Sequence, residues 1–169
     1  LDYFIIFIFI FFFAVVLLET FLHRYCSHRA FELNRKVETF LLYCTTLTMQ
    51  PPPLAWAPNH ITHHRYSDKE GDSHPASNGW KTWFWYDTYK NNMISGHTVK
   101  RLLKNRHFRI QYENCFKIYY MFMIPCLLIS PFYTLCMILI PATFCFHTSS
   151  ITNVLCHTLG WGYRNFDTN

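Results

Sequence analysis

No Cys-x-x-Cys pair occurs among the seven cysteines of this 169-residue chain. Most of them lie inside apolar runs, where a thiol behaves as a small hydrophobe. A disulfide framework is therefore excluded, and the chain reads as reducing and cytosol-facing. There is no Gly/Ser linker and no internal repeat, so the length holds one domain at most. Apart from Lys117, basic residues are missing from the apolar runs, and the first run has neither a basic leader nor a small-residue cleavage site, which argues against a signal peptide. No haem or flavin motif is present. The net charge of +5 gathers between the apolar runs, at Lys100, Arg101, Lys104, Arg106 and Arg109. Without the context of a nucleic-acid module, this distribution fits anionic headgroups and excludes a nucleic-acid partner.

The mean hydropathy is close to zero because two populations cancel. Aromatic residues make up 20% of the chain, with 17 Phe, and that points to lipid contact. Tyr3 to Leu22 is interrupted only by Glu19 and is long enough to span a bilayer at ~20 residues. Val37 to Met49, ending at Pro51-Pro52-Pro53, is too short to cross and is expected at the interface. Residues 58–116 are polar with aromatic insertions at Trp80, Trp83, Phe84, Trp85 and Tyr86, and read as a cytosolic cap at headgroup level. Phe116–Tyr133 and Cys136–His157 are expected to form a helical hairpin, kinked or turned at Pro125, Pro131 and Pro141. The fold class expected is an all-α integral membrane helical bundle with a cap carrying a histidine-rich site. Residues 24–115 should stay on one side of the bilayer.

Six of the ten histidines gather at the edges of apolar segments: His23 and His28, then His60, His63 and His64, and later His157. Neutral imidazole is a good ligand for first-row transition metals. On a helix His60 and His64 share a face with His63 beside them, and Asn153 and His157 have the same spacing. His23 and His28 would diverge by roughly 140° on an α-helix, so a helix end is expected between them. Many imidazoles with few carboxylates exclude a hard-cation site for calcium or magnesium. Iron suits such a set, and zinc and copper are also compatible. His74, His97, His107 and His147 read as ordinary interfacial side chains.

These segments carry a family resemblance. His23-Arg-Tyr-Cys-Ser-His28-Arg-Ala-Phe resembles the first histidine box of membrane fatty-acyl desaturases of the stearoyl-CoA (Δ9) type. Trp56-Ala-Pro-Asn-His60-Ile-Thr-His63-His64-Arg-Tyr-Ser-Asp68, continued by Glu70-Gly-Asp72-Ser-His74-Pro75, is similar to the second box. Asn153-Val-Leu-Cys-His157, followed by Gly162-Tyr163-Arg164, resembles the segment supplying a further histidine ligand and a water-bridged asparagine. The resemblance implies two irons held by His23, His28, His60, His63, His64 and His157, with Asn153 acting through a water. It implies dioxygen as co-substrate and an electron donor such as cytochrome b5 or ferredoxin. It also implies an active site on the cytosolic face, of the endoplasmic reticulum in a eukaryote or the inner membrane in a bacterium.

The family's third box does not occur in these residues, so the chain is expected to be a partial desaturase domain, cut at both ends and inactive alone. The reaction implied is oxygen-dependent introduction of a cis double bond, of Δ9 type, into a saturated acyl chain on CoA or lipid. A membrane di-iron hydroxylase and a non-catalytic metal-binding relative are the competing readings. Gln50, Trp56 and Ser149 match residues that bend the acyl tunnel, with Ser149 where Thr is usual. Pro58-Asn59 and Ser150 depart from the acyl-CoA pattern of Arg-Asp and Trp. Glu19, one turn before His23, could orient its imidazole. Val15 lies ~12 Å below His23 at 1.5 Å per residue; the resemblance implies that it floors the tunnel with Phe11, and Val where the family has a smaller residue is expected to favour C16 or shorter chains.

Overall fold

A computed structural model describes residues 2–84 and 94–159. Trp85, Tyr86 and Gly162-Tyr163-Arg164 lie outside the described residues. Among those described there is no strand. The first apolar run is a single rod: α1 (Asp2–Val16) continues without a break as a π-helix over Leu17–Ser27. The rod is all but unburied along its lower half, where Phe9 and Phe12 are 71% and 67% exposed. A core helix of a soluble protein would hide such side chains, whereas hydrocarbon accommodates them.

After the rod, Asn34 caps α2 (Arg35–Thr45) by accepting from the Lys36 amide. A 3₁₀ turn (Thr46–Thr48) and the left-handed Met49 end it. At 11 residues, α2 is about 16 Å long and too short to cross, as expected from its sequence. Pro53 opens α3 (Pro53–Tyr66), the helix of the second histidine group. A further 3₁₀ turn (Ala76–Asn78), α4 (Trp80–Trp83) and α5 (Gly96–Leu102) complete the polar segment. Asn105 then caps α6 (Arg106–Ile129), which bends at Asn114.

The chain turns at Ser130, whose backbone is extended, and Pro131 opens α7 (Pro131–Thr134). A second π segment (Leu135–Leu139) leads into α8 (Ile140–Thr158). The hairpin therefore pivots at Pro131, while Pro125 sits within α6 and Pro141 at the start of α8. Among the described residues, two helical stretches are long and apolar enough to cross a membrane, Phe4–Ser27 and Pro131–Thr158. The other arm of the expected hairpin, Phe116–Tyr133, is divided between α6, which ends at Ile129, and α7.

The core gathers at the upper end of the rod. Phe21, Leu22 and Cys26 pack with Leu42 of α2, Trp56 and Ala57 of α3, Leu102, Phe108 and Cys145. A polar knot sits beside it: buried Glu38 accepts from the Tyr25 hydroxyl at 2.7 Å, Asn105 Nδ2 at 2.7 Å and Arg35 at 3.0 Å. A buried carboxylate must be matched by donors in this way, and here the donors come from three separate elements. Arg101 of α5 donates to the carbonyls of Tyr25, Cys26 and Ser27, the last turn of the rod. Cationic donors at a helix C-terminus satisfy its open carbonyls.

Candidate metal centre

The helix end expected between His23 and His28 falls at Ser27, with His28 as the capping residue, yet the two side chains still meet. The reason is the π-turn. Its hydrogen bonds run from residue i+5 to i, and the His28 amide bonds the His23 carbonyl at 3.3 Å. Residues five apart therefore stack, and the two rings sit 4.9 Å apart. The chain leaves the rod through Arg29, which has a left-handed backbone.

α3 supplies the facing set. The ligating atoms of His23, His28, His60 and His64 all lie within 4.8 Å of one another. His60 Nε2 is 3.2 Å from His28 Nε2 and 2.9 Å from His64 Nε2. At most one proton can occupy each of these gaps, so lone pairs are left converging on a common point. A metal with bonds of ~2.1 Å places neighbouring donors about 3 Å apart, which is the spacing found. Burial, reinforced by the neighbouring imidazoles, pushes His60 far below its usual range and His64 down to about 4. Burial and then His23 also lower His28. Neutral imidazole, the ligating form, is thus favoured at each. The donor set fits a transition metal and not a hard cation.

His63, one residue from His64, faces away into a second group with Asp72 and His74. His63 Nδ1 donates to both Asp72 oxygens at 2.9 Å. Asp72 also accepts from the Asp68 and His74 amides. Burial opposes its charge, but these donors outweigh it and hold the carboxyl below its usual range. His157, on α8, comes within 5.4 Å of the His63 ring, and its Nδ1 donates to Asp68 at 2.9 Å. His23 Nδ1 donates to Glu19 at 3.3 Å. Three of the six histidines thus have a carboxylate on Nδ1, which fixes the tautomer and leaves Nε2 as the lone-pair nitrogen. Histidines that bind metal are oriented in this manner.

His74 is a correction to the sequence reading. It is 3% exposed and stacks on His63 at 4.3 Å, and burial pushes it down to about 3. His107 and His147 keep their ordinary role, bonding Tyr43 and Trp83 respectively. Asp68 and Asp72 were also not singled out as site residues, although the acidic run after the second histidine group is visible in the sequence. Left-handed Asp68 and Gly71 turn the chain there, so that Asp72 returns to His63.

The remaining expected residues are placed as follows. Trp56 stacks on His60 at 4.6 Å with rings 12° from parallel. Gln50 is buried with no partner for either amide atom. Asn153 and Ser149 are half-buried on α8, Asn153 one turn before His157. Val15 packs against the core, and Phe11 meets Phe144 of α8 edge-on at 4.8 Å. The departing residues are interior: Ser150 donates to the Trp83 carbonyl, and Asn59 to that of Ala55.

Comparison with known proteins adds a family. The family model described as "Fatty acid desaturase" matches residues 2–169. An "Icosanoyl-CoA 5-desaturase" of Limnanthes douglasii is 39% identical over 64 residues, 38% of this chain and 17% of that protein. An "sn-1 stearoyl-lipid 9-desaturase" of Anabaena variabilis is 38% identical over 64 residues, 38% of this chain and 22% of that protein. An "Acyl-CoA Delta(11) desaturase" of Trichoplusia ni is 37% identical over 57 residues, 34% of this chain and 16% of that protein. The chain spans about a fifth of the length of these curated relatives.

Proposed function

We propose a catalytic function on one premise: this chain belongs to the fatty acid desaturase family. The protein that carries it is an oxygen-dependent fatty-acyl desaturase, introducing a cis double bond, of Δ9 type, into a saturated chain on CoA or lipid. The observation that carries the reading is the convergence of His23, His28, His60 and His64, with His63 and His157 held beside them on carboxylates.

An unactivated alkyl C–H bond has no acidic proton and no leaving group, so side-chain acid/base chemistry cannot open it. Two irons, when bound, supply the dioxygen chemistry that can. His23, His28, His60 and His64 would hold one, and His63 and His157 belong to the second position, with Asn153 acting through water. The carboxylates of Glu19, Asp68 and Asp72 keep the Nδ1 protons and aim the rings. Trp56, stacked on His60, and the buried Gln50 would line the acyl path with Ser149. Val15 and Phe11 would close its far end between the rod and α8. Electrons would come from a separate donor such as cytochrome b5 or ferredoxin, reached from the cytosolic face of the membrane.

The test is expression of the full-length protein in a host lacking its own acyl desaturase, with fatty acids analysed by mass spectrometry. The expected product is two hydrogens lighter than its precursor, and His60→Ala abolishes it. A product one oxygen heavier would make the protein a hydroxylase, and a stable iron-loaded protein with no product would make it non-catalytic.

A further inference from the structure

His74 is fixed more firmly than a packing residue needs. It is 3% exposed, and its ring lies 4.3 Å from that of His63 with the planes 22° apart. Its backbone amide donates to Asp72 Oδ1 at 2.9 Å, so His74 and the carboxylate that grips His63 form one unit. His74 Nδ1 is 2.9 Å from the Ser73 hydroxyl, which is 2.8 Å from the Asn59 carbonyl.

The direction of these bonds follows from counting hydrogens. A carbonyl can only accept, so Ser73 gives its single hydrogen to Asn59. Towards His74 the Ser73 oxygen then accepts, and His74 Nδ1 carries the hydrogen. The relay ends on α3 at residue 59, whose carbonyl α-helical spacing also directs at the His63 amide. The orientation of the His74 ring is thereby set from the helix that carries His63.

The His74 ring does what Asp72 alone cannot. Asp72 fixes the direction of the His63 Nδ1–H bond. The Nε2 lone pair is not collinear with that bond, so turning the ring about it would swing the lone pair away from a metal. A flat neighbour packed on the ring face blocks that turn. We infer that His74 is a positioning residue for the metal that His63 binds, its ring backing the His63 imidazole while Ser73 and the Asn59 carbonyl hold it in place. This rests on the reading of His63 as an iron ligand.

The test uses the purified full-length protein, with cobalt(II) as the probe because its visible bands follow ligand geometry. Metal content, chelator competition and band pattern are recorded for wild type and variants, with elution volume reporting folding. Two metals in wild type, one of them at least about tenfold weaker in His63→Ala, support the underlying reading. If His63→Ala alters neither metal, that reading fails and the inference with it. His74→Phe keeps a flat face without the hydrogen bond, whereas His74→Asn keeps a donor in place of Nδ1 without the face. His74→Phe should stay within about threefold of wild-type affinity and retain the bands, while His74→Asn should weaken one metal about 10–100-fold and shift its bands. Ser73→Ala leaves the His74 Nδ1–H without its acceptor and frees the ring to turn, so it should fall between the two. A loss in His74→Phe equal to that in His74→Asn would overturn the inference, because the ring nitrogen and not the face would then matter. Equal weakening of both metals in His74→Asn would also overturn it, as a merely structural effect. If the ring variants fail to fold, Ser73→Ala decides, and unchanged affinity and bands there overturn the inference.

Discussion

Arg101 lies far from His23 and His28 in sequence, yet it holds the turn on which His28 depends. Its guanidinium donates to the Cys26 carbonyl and reaches those of Tyr25 and Ser27 at 3.4 Å each. Cys26 is fully buried and Ser27 nearly so, so water does not readily replace these donors. A hydrogen bond from a charged group is worth about 1.5–3 kcal/mol, and the two longer contacts add little. Counting one full bond, Arg101→Met, which keeps an apolar stem, should cost the end of the π-helix about 2 kcal/mol. At about 1.4 kcal/mol per decade, local opening becomes roughly 30-fold more frequent. The assay is amide hydrogen exchange at His28, Arg29 and Ala30, whose N–H groups bond the carbonyls of His23, Tyr25 and Arg24. These should exchange about 30-fold faster, while amides of α8 are unchanged. A change under about threefold at all three would refute the clamp, and an equal rise throughout the protein would show a global role instead.

Asp72→Asn should lower iron affinity by about 10–100-fold, the usual effect of removing a carboxylate behind a metal-binding histidine, measured by competition with a chelator. Glu19→Gln should do less, because Glu19 is 62% exposed. Metal-free protein should lose stability on acidification. Burial holds His28, His64 (about 4) and His74 (about 3) below the ordinary 6.5. The folded chain therefore binds fewer protons than the unfolded one over that interval, and stability rises with pH through it. The melting midpoint should be steady above pH 6.5 and fall towards pH 4, and a profile flat between these limits would contradict the burial argument. Val15→Ala should move the product profile on mixed C14–C18 substrates towards longer chains, with no change under Val15→Ala or Val15→Phe removing the tunnel-floor role. Cysteines placed near Pro52 should be labelled from the cytosolic side, and labelling from the opposite side alone would overturn the placement of residues 24–115.

The sequence alone determined the parts whose signal is local. Length and hydropathy marked the first rod, and the short Val37–Met49 run ended before it could span. Pro131 turned the chain because a proline restricts the residue before it to extended backbone, as found at Ser130. Histidines four apart on one helix could be placed together, since α-helical spacing needs no other information. Tertiary structure decided the rest. The π-turn joining His23 to His28 has no residue signature. It holds because Arg101, Glu38 and Asn105 arrive from elsewhere to satisfy the groups around it. The split of His63 from His64 into separate groups depended on Asp72, and on a loop turning through left-handed Asp68 and Gly71. His74 looked like a surface residue until that loop buried it against His63. Spacing along one chain sets which residues share a face, whereas partners distant in sequence are set by how the faces meet.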